Sequence, residues 1–475
     1  MKLFEIFISV LEETLKLLFE VLEGIFSASK KKGYNASFAF ASSVLGRWEK
    51  GYCLAGNGRN LSVKDSYQNA LIIGGTGTGK SSVTLIPSLY TMSGSFITHD
   101  PSGELFLKSA GYLKEKKYEV KRLNFANPSV SCGYNPLHRA NSSSEIQKIS
   151  SMLVQNSLNN GNGNSSENFW NTQAVALIAM MITILKTQER QYQNLFNVRH
   201  LLNSLGSNPK AIDKLFSRCA DEKLFSEYKS FLAYDERVVS GVIASCKAAL
   251  QIFSDEAVAK VTCHDNLDME AFRKRPTVLY INNSVADQRY YAVLTSIFFE
   301  QFFAYILSRF PGQGEQDIWF LIDEASSLKL PTISLAVANV RKHRAGILLA
   351  IQDFNQLIHN YRKYEADAIR SNCFAKMYFT GQNLETARDL EQILGRFEYE
   401  DDKKRKITRE LMTRDEIRTM KINRALLVCG HHPPILARLK PYYESRLFRL
   451  YSELPPPVLP NYLPDTLPSL TLNDN

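Results

Sequence analysis

The segment NALIIGGTGTGKSSVTLIPSLY, residues 69–90, constrains the fold of this chain more than any other part of its sequence. An apolar strand leads into a glycine-dense loop, and the residues that follow have the pattern of a helix. The spacing fits G-x-x-x-x-G-K-[ST], in which glycines let successive backbone N–H groups point at a phosphate and the helix N-terminus adds its positive dipole end. The sequence therefore predicts a nucleotide-binding loop. Its residues are Gly74, Gly75, Thr76, Gly77, Thr78, Gly79, Lys80, Ser81 and Ser82.

Four residues predict the chemistry of this site. We expect Lys80 to reach the β- and γ-phosphates of ATP, and the Ser81 hydroxyl to bind Mg²⁺. The run IWFLIDEA, residues 318–325, reads as a buried parallel strand, and ligands bind at the carboxyl ends of such strands. We expect Asp323 to support Mg²⁺ and Glu324 to polarise the attacking water. An apolar run ending in Asp-Glu is a weak signal alone, but beside a phosphate loop it favours ATP hydrolysis coupled to work.

Further candidates accompany the next apolar strand, RAGILLAIQDF, residues 344–354. Gln352 occupies the position at which RecA-type motors carry a polar sensor of the γ-phosphate, although it can equally be a solvated strand end. Arg341, Lys342 and Arg344 lie between the two strands, where a cation could reach the γ-phosphate of a neighbouring subunit as an arginine finger. For any one of them a solvent-facing turn is the alternative. Arg344 is preferred because it abuts the strand.

The amino-acid composition restricts the class of protein to which this chain can belong. The chain has 475 residues, 44% hydrophobic and 22% charged, which is typical of a soluble globular protein with two or three domains. Its net charge is +9 and its pI is near 9.0, which mildly favours a polyanionic partner or a membrane surface. Seven cysteines without any C-x-x-C spacing indicate free thiols in a reducing compartment, with neither a disulfide framework nor a zinc site.

The order of patterns predicts an α/β fold with a mainly parallel sheet. Strand-like and helix-like segments alternate from residue 71, give way to helical patterns near residue 139, and resume as strands from residue 276. We therefore predict one nucleotide-binding domain over residues 40–138 and 272–450, interrupted by an all-α insertion over 139–271. A proline-rich tail over 451–475 is expected to be an extended arm, and a docking peptide for a partner is the less favoured alternative.

Three apolar segments raise the question of membrane contact. Residues 1–29 predict an amphipathic helix whose charges fall within one arc of about 100°. Such a helix can pack on the protein's own body, dock on a membrane subunit or lie in the bilayer surface. Residues 175–185 are too short to span a bilayer, and residues 288–310 carry Glu300 and Gln301 at their middle, so both are expected to be core helices. No transmembrane helix is predicted.

Several motifs in order resemble the type IV coupling proteins, the ATPases that feed substrates into conjugative type IV secretion channels. The resemblance covers most of residues 68–443 and adds six segments to the phosphate loop and Asp323-Glu324. They are HDPSGELFLKSAGY (99–112), LNFANPSVSCGYNPL (123–137), ENFWNTQAVALI (167–178), IQDFNQL (351–357), ETARDLEQILG (385–395) and LMTRDEIRTM (411–420). Each segment is loose individually, but this many in order is specific.

The resemblance implies a RecA-type P-loop NTPase that forms a homo-hexamer, with the all-α insertion recognising cargo. It makes Gln352 and Arg344 candidate catalytic residues beside Glu324, and ATP and Mg²⁺ the cofactors. Its partners would be DNA, expected to be single-stranded, or a relaxase or effector protein, together with type IV secretion membrane subunits. Members usually begin with membrane-spanning helices, which the sequence of residues 1–26 does not match, and a position that is often basic is Ser102 here.

The sequence thus predicts an ATP-hydrolysing coupling protein, cytoplasmic and peripheral at the inner face of the bacterial cytoplasmic membrane. One alternative is a soluble DNA translocase or helicase without a secretion partner. Another is a recruitment adaptor in which nucleotide gates the binding of a secreted protein or relaxase. The basic run at residues 403–406 is a candidate for DNA contact, but a solvated charged loop explains it equally well, so no DNA contact is assigned.

Overall fold

A nine-stranded sheet forms the centre of the molecule in the computed structural model, which describes residues 35–472 except 57, 158–164, 284–285 and 465. The predicted N-terminal amphipathic helix lies outside the described residues. The strand order is β11-β10-β7-β1-β6-β5-β2-β4-β3. The strands are β1 Ala70–Ile73, β2 Ser95–His99, β3 Glu119–Leu123, β4 Thr277–Ile281, β5 Ile318–Ile322, β6 Ala345–Ile351, β7 Ala375–Phe379, β10 Arg424–Cys429 and β11 Ile435–Arg438.

The seven strands from β7 to β3 in this order run parallel, and β10 and β11 add an antiparallel hairpin at one edge. Every residue of β1, β2, β4, β5 and β6 is buried, because a parallel sheet carries its crossover helices on both faces. Side chains alternate between two apolar clusters; Leu71 and Ile73 enter one, and Ala70 and Ile72 the other. The predicted α/β class with a mainly parallel sheet is confirmed.

Seventeen α-helices surround the sheet in the described residues. They are α1 Val63–Ser66, α2 Ile86–Thr91, α3 Glu104–Glu115, α4 Ser143–Ser157, α5 Ser165–Lys186, α6 Leu195–Ser207, α7 Pro209–Cys219, α8 Glu222–Leu232, α9 Glu236–Ala249, α10 Glu256–Cys263, α11 Ala271–Lys274, α12 Gln288–Ser308, α13 Ile333–Asn339, α14 Phe354–Ser371, α15 Leu384–Leu394, α16 Arg414–Arg418 and α17 Arg446–Ser452.

Helices α4 to α11 lie between β3 and β4 in sequence, although these two strands are parallel neighbours in the sheet. The chain therefore leaves the sheet after β3, builds a helical segment, and returns to the adjacent position. Buried side chains of this segment, such as Leu177 and Val198, belong to the same apolar cluster as Leu71 of β1. One continuous core thus joins the helical segment to the sheet, and the division of the chain into domains remains a prediction.

Two described helical segments are long and apolar enough to cross a membrane by length and composition. They are Asn168–Lys186 and Gln288–Ser308, and about half of each is buried inside the protein. In the second, Glu300 accepts hydrogen bonds from the Thr332 amide (2.9 Å) and the Thr332 hydroxyl (2.5 Å). A half-buried carboxylate satisfied in this way fits a core helix.

A second, two-stranded antiparallel sheet stands apart from the main one, with β8 Arg396–Glu400 paired to β9 Lys406–Glu410. The basic run at 403–406 forms its turn and the start of β9. Asp401 organises this turn, since its carboxylate accepts hydrogen bonds from the backbone N–H groups of Lys403 (2.9 Å) and Arg405 (2.8 Å). The hairpin was not predicted from the sequence.

The proline-rich tail crosses from the sheet to the helical segment. Near its start, the carbonyl oxygen of Leu454 lies 2.4 Å from where a Cβ on Gly111 of α3 would be, so only glycine fits there. Near its end, the buried Asn197 side chain on α6 donates to the Pro468 carbonyl (2.8 Å) and accepts from the Leu470 amide (3.0 Å). The tail is therefore an extended strap held on the protein's own surface.

Asn197→Ala should release this strap. The substitution removes both bonds, together with a third from the same amide to the Tyr192 carbonyl (3.0 Å), and leaves the buried Leu470 amide without its acceptor, which costs about 2–3 kcal/mol. We expect a lower free energy of unfolding in urea and faster proteolysis between residues 453 and 472. Asn203→Ala on the same helix is the control, because the Asn203 side chain makes no hydrogen bond among the described residues. Equal proteolysis of the two variants would contradict the role of Asn197 in holding the strap.

Candidate nucleotide-binding site

The glycine loop joins β1 to a helical segment at the carboxyl edge of the sheet. Gly77 (φ 77°) and Gly79 (φ 98°) adopt left-handed backbone conformations that L side chains rarely reach. A Cβ on Gly74 would lie 2.7 Å from the Cβ of Phe379 on β7, so this position also requires glycine. The helix opens with a π-helical turn, Ser81–Leu85, before α2. Pro87 explains that turn, since it lacks an N–H and its ring would clash with an α-helical carbonyl.

Lys80 ends the glycine loop, and its side chain folds back into it. Its ammonium donates hydrogen bonds to the carbonyl oxygens of Gly74 (2.6 Å) and Gly75 (3.2 Å). Burial lowers the pKa of Lys80, and the carboxylates of Asp323 and Glu324 oppose this effect. The side chain is thus a preorganised cation held within the glycine loop, where a phosphate anion could replace the carbonyl oxygens as its partner.

Ser81 and Asp323 bring two oxygen ligands together. The Ser81 hydroxyl donates to Oδ2 of Asp323 at 3.0 Å, and the Asp323 side chain is almost completely buried. Burial raises the pKa of Asp323 to about 6, although the bond from Ser81 and the charge of Lys80 act in the opposite direction. Two neighbouring ligands of an octahedral Mg²⁺ stand about 3 Å apart, given metal–oxygen distances near 2.1 Å. This pair of atoms therefore fits Mg²⁺.

A complete metal shell would need oxygen atoms from outside the protein. No group of three or more His, Cys, Asp or Glu residues that could hold a metal ion occurs in the described part of the chain. Mg²⁺ is commonly held by one or two protein oxygens together with substrate phosphates and water. The donor set at Ser81 and Asp323 matches that usage.

Glu324 and Gln352 meet beside the loop. Glu324 adopts a left-handed conformation (φ 49°) directly after Asp323, and its Oε1 accepts a hydrogen bond from the Gln352 amide at 3.4 Å. Strand β6 lies between β1 and β5, so its carboxyl end places Gln352 between the phosphate loop and the acidic pair. The structure brings together five predicted residues at one edge of the sheet: Lys80, Ser81, Asp323, Glu324 and Gln352.

Arg344 lies elsewhere in the same chain. It precedes β6 while Gln352 follows it, so the two are separated by more than about 20 Å along an extended strand. Its guanidinium forms an ion pair with Asp317 (2.7 Å) and donates to the Glu315 carbonyl (2.9 Å). Arg341 is more accessible, and its described side-chain bond is to Gln68 (3.2 Å). The arginine finger was predicted to act on a neighbouring subunit and stays a prediction.

Sequence reasoning missed residues that position the site. His99, at the end of β2, is buried and its Nδ1 lies 2.6 Å from the Asp323 carbonyl oxygen. Because a carbonyl only accepts, Nδ1 carries the proton; burial lowers the pKa of His99 to about 4 and keeps the ring neutral. Asp353, next to Gln352, accepts two bonds of 2.7 Å from the Asn383 amide. His99 lies in the segment 99–112 and Asp353 in the segment 351–357, but nothing in the spacing of these segments assigned either residue a role.

Asp100 also lies in such a motif, where it fixes the turn from β2 into α3. Its two carboxylate oxygens accept from the backbone N–H groups of Leu105 (3.1 Å) and Phe106 (2.8 Å). Burial raises the pKa of Asp100 to about 7, and these two bonds oppose the rise. Its position beside Asp323 makes it part of the supporting framework of the site.

Asp100→Ala should destabilise the protein by about 2 kcal/mol, because the first turn of α3 loses its capping oxygens. Asp100→Asn keeps one acceptor and should cost about half as much. Urea unfolding measures both. Lys114→Ala, at an exposed position near the end of the same helix, should change the free energy of unfolding by less than about 0.5 kcal/mol. An equal effect of Lys114→Ala and Asp100→Ala would contradict the capping role.

Comparison with known proteins decides the family. Residues 29–461 match the family model described as Type IV secretory system Conjugative DNA transfer. The chain belongs to this family. The predicted resemblance to type IV coupling proteins is therefore confirmed. The match spans both the sheet and the helical segment between β3 and β4.

Curated relatives of the family are distant but cover most of the chain. It is 23% identical over 405 residues to Protein VirD4 of Agrobacterium fabrum, covering 80% of this chain and 59% of that protein. It is 21% identical over 355 residues to Conjugal transfer protein TraG of Escherichia coli, covering 69% and 55% respectively. The chain thus spans somewhat more than half the length of these relatives.

Solved structures show the same fold. The bacterial conjugative coupling protein TrwBdeltaN70 in complex with sulphate is 19% identical, with a TM-score of 0.68, covering 86% of this chain and 95% of that one. The plasmid coupling protein TrwB in complex with ADP and Mg²⁺ gives the same values. The predicted RecA-type P-loop fold is thereby confirmed.

Proposed function

We propose that this chain is an ATP-hydrolysing coupling protein that recruits DNA or a DNA–protein conjugate and moves it into a type IV secretion or conjugation channel. One observation carries the proposal: Lys80, Ser81, Asp323, Glu324 and Gln352 converge at the carboxyl edge of the sheet. These residues supply the phosphate-binding cation, the metal ligands and the water-activating carboxylate that hydrolysis of a nucleoside triphosphate requires. Family membership and the names of the relatives, VirD4, TraG and TrwB, support the DNA-transfer context.

We propose a task for each residue on the basis of this geometry. The loop N–H groups and Lys80 would hold the β- and γ-phosphates of ATP, with the ammonium turning from the carbonyls of Gly74 and Gly75 to the phosphate oxygens. Ser81 and Asp323 would hold Mg²⁺, which supplies charge neutralisation for the leaving phosphate. Glu324 would accept the proton of the attacking water. Gln352, already bonded to Glu324, would orient that carboxylate and sense the γ-phosphate.

Subunits of a hexamer would complete one another's sites through an arginine. Arg344 must exchange its ion pair with Asp317 for a phosphate, whereas Arg341 is exposed and carries a weaker bond to Gln68. A mixing experiment tests both. If Arg344 is the finger, Arg344→Ala chains are inactive alone and regain ATPase activity when mixed with Lys80→Ala chains, since each supplies what the other lacks. Undiminished activity of Arg344→Ala chains alone would exclude Arg344 as the arginine finger. The same test would then be applied to Arg341.

The partners of this motor would be single-stranded DNA, a relaxase or effector protein, and membrane subunits of the secretion system. The helical segment, α4 to α11, which is inserted between β3 and β4, is the proposed site of cargo recognition. We place the protein in the cytoplasm at the inner face of the bacterial membrane, with contact made through a membrane subunit or through residues 1–29.

A transfer experiment in donor cells tests this function. Cells in which the native gene is replaced by the Glu324→Gln variant should transfer DNA at less than a hundredth of the wild-type frequency while making normal amounts of protein. Glu115→Gln, at the exposed last residue of α3, is the matched control and should transfer normally. Wild-type transfer by the Glu324→Gln variant would instead indicate a recruitment adaptor that does not need hydrolysis.

A further inference from the structure

Helix α14 is broken at Arg362. This residue has φ 62° and ψ 162° inside an otherwise helical run, so α14 is two helices joined at a kink. That region of backbone space is essentially reserved for glycine, because a Cβ makes it strained. An ordinary break would carry glycine or asparagine. Arginine at this position therefore keeps a cation at the break at the cost of backbone strain.

Three consecutive side chains at the kink face solvent. Arg362 and Lys363 are exposed, and Tyr364 is 91% exposed, which is unusual for so large a ring. None of the three forms an ion pair, a side-chain hydrogen bond or a ring contact with the rest of the described chain. Glu365 follows as an exposed acid, so the kink presents two free cations and one aromatic ring against a single carboxylate.

The first half of α14 is tied to the loop that follows Asp323 and Glu324. The Tyr361 hydroxyl donates to the Leu328 carbonyl (2.9 Å) and accepts from the Leu330 amide (3.0 Å). Ser326 donates to Gln356 (2.8 Å). The acidic pair and the kink are thus the two ends of one hydrogen-bonded unit, so that a shift of Glu324 during hydrolysis would be passed to residue 362.

We propose that Arg362, Lys363 and Tyr364 contact single-stranded nucleic acid and form the element through which hydrolysis moves it. The two cations suit backbone phosphates, and a tyrosine with both faces free suits stacking on an unpaired base. A duplex keeps its bases stacked and offers no partner for the ring, so the single strand is the better fit. This inference rests on the proposed function and adds the residues that hold the substrate.

Fluorescence anisotropy with labelled oligothymidine and the full chain, without nucleotide, tests the proposal. Tyr364→Ala should weaken binding about tenfold, whereas Tyr364→Phe keeps the stacking ring and should bind normally. Lys363→Gln and Arg362→Gly should each lower the slope of log Kd against log salt by about 0.7, the contribution of one single-strand phosphate contact. Lys114→Gln and Tyr443→Ala, at exposed positions elsewhere, are the matched controls and should change neither quantity.

Arg362→Gly provides a second readout that a structural role would not give. Glycine relieves the strained backbone while removing the charge, so the thermal unfolding midpoint should rise as the affinity for oligothymidine falls. A variant that misfolds would lose both thermal stability and affinity. A higher unfolding midpoint with a lower affinity therefore indicates loss of a nucleic-acid contact rather than loss of structure.

Three results would overturn the proposal. One is wild-type affinity and salt slope in the Arg362, Lys363 and Tyr364 variants. Another is a wild-type chain that hydrolyses ATP but binds no oligothymidine. The third is an effect of these variants on self-association with DNA binding unchanged, which would assign the kink to a second copy of the chain. Binding is measured without nucleotide, so its result does not depend on ATP hydrolysis. Absence of ATP hydrolysis would count against the proposed function but would not affect the binding measurement.

Discussion

Lys80→Ala should reduce ATP hydrolysis by a factor on the order of 10⁴, because it removes the cation that the glycine loop holds for the β- and γ-phosphates. The ammonium lies 2.6 Å from the Gly74 carbonyl and close to the charges of Asp323 and Glu324. Removing it leaves the developing phosphate charge without its nearest protein cation. Steady-state phosphate release by the purified chain measures the effect.

The fold should survive this change. Within the described residues, the Lys80 side chain bonds only to carbonyl oxygens of its own loop, so its loss should alter the free energy of unfolding by about 1 kcal/mol or less. Lys114→Ala, an exposed lysine of α3, is the control and should keep wild-type activity. Undiminished hydrolysis by Lys80→Ala would remove this loop as the site of ATP hydrolysis.

Glu324→Gln should reduce turnover by a factor on the order of 10³ while nucleotide binding is kept. The amide has the shape of the carboxylate but cannot accept the proton of the attacking water. Its place beside Gln352 is preserved, because an amide oxygen can still accept the 3.4 Å hydrogen bond. Single-turnover kinetics with a fluorescent ATP analogue separate binding from hydrolysis.

The matched control for this variant is Glu115→Gln, at the exposed last residue of α3, four residues before β3 begins at the opposite edge of the sheet. A fall in nucleotide affinity with an unchanged rate of hydrolysis would contradict the assignment of Glu324 as the base. It would instead indicate that this carboxylate supports binding, and Asp323 would then have to activate water.

Much of the central fold could be predicted because its strands are buried on both faces. The runs ALII and IWFLI are continuously apolar and SFITH and TVLYI are largely β-branched or aromatic, and each of the four is a completely buried parallel strand. The antiparallel pair β10 and β11 was missed. It lies at the edge of the sheet, and the exposed Arg424 and Arg438 mark ends that no local pattern distinguishes from a loop.

The site residues were predictable where chemistry dictates residue type and spacing, and less so where partners are distant in sequence. Lys80 and Ser81 follow from the glycine loop alone. The bond between Asp353 and Asn383, 30 residues apart, depends on how two strands end at one edge. The ion pair of Arg344 with Asp317, 27 residues apart, likewise required the parallel register of β5 and β6. Such contacts are set by topology and cannot be read locally.

The kink at Arg362 could not be predicted, because the local sequence pattern there indicates an unbroken helix. The segment Phe354–Ser371 has strong helical amphipathicity, and no glycine or proline marks an interruption. The break arises because the first half is anchored to the loop after the acidic pair by Tyr361, while Ile369 near the end packs into the core. Tertiary packing overrides local propensity here.

The most direct test of the central claim is the ATPase rate of the purified chain with and without single-stranded DNA, across protein concentration and salt. We expect stimulation by DNA that rises with protein concentration, because neighbouring subunits complete each site, and that fades as salt screens the phosphate contacts. A measurable ATPase rate that DNA leaves unchanged at every concentration and salt would contradict a motor that acts on nucleic acid.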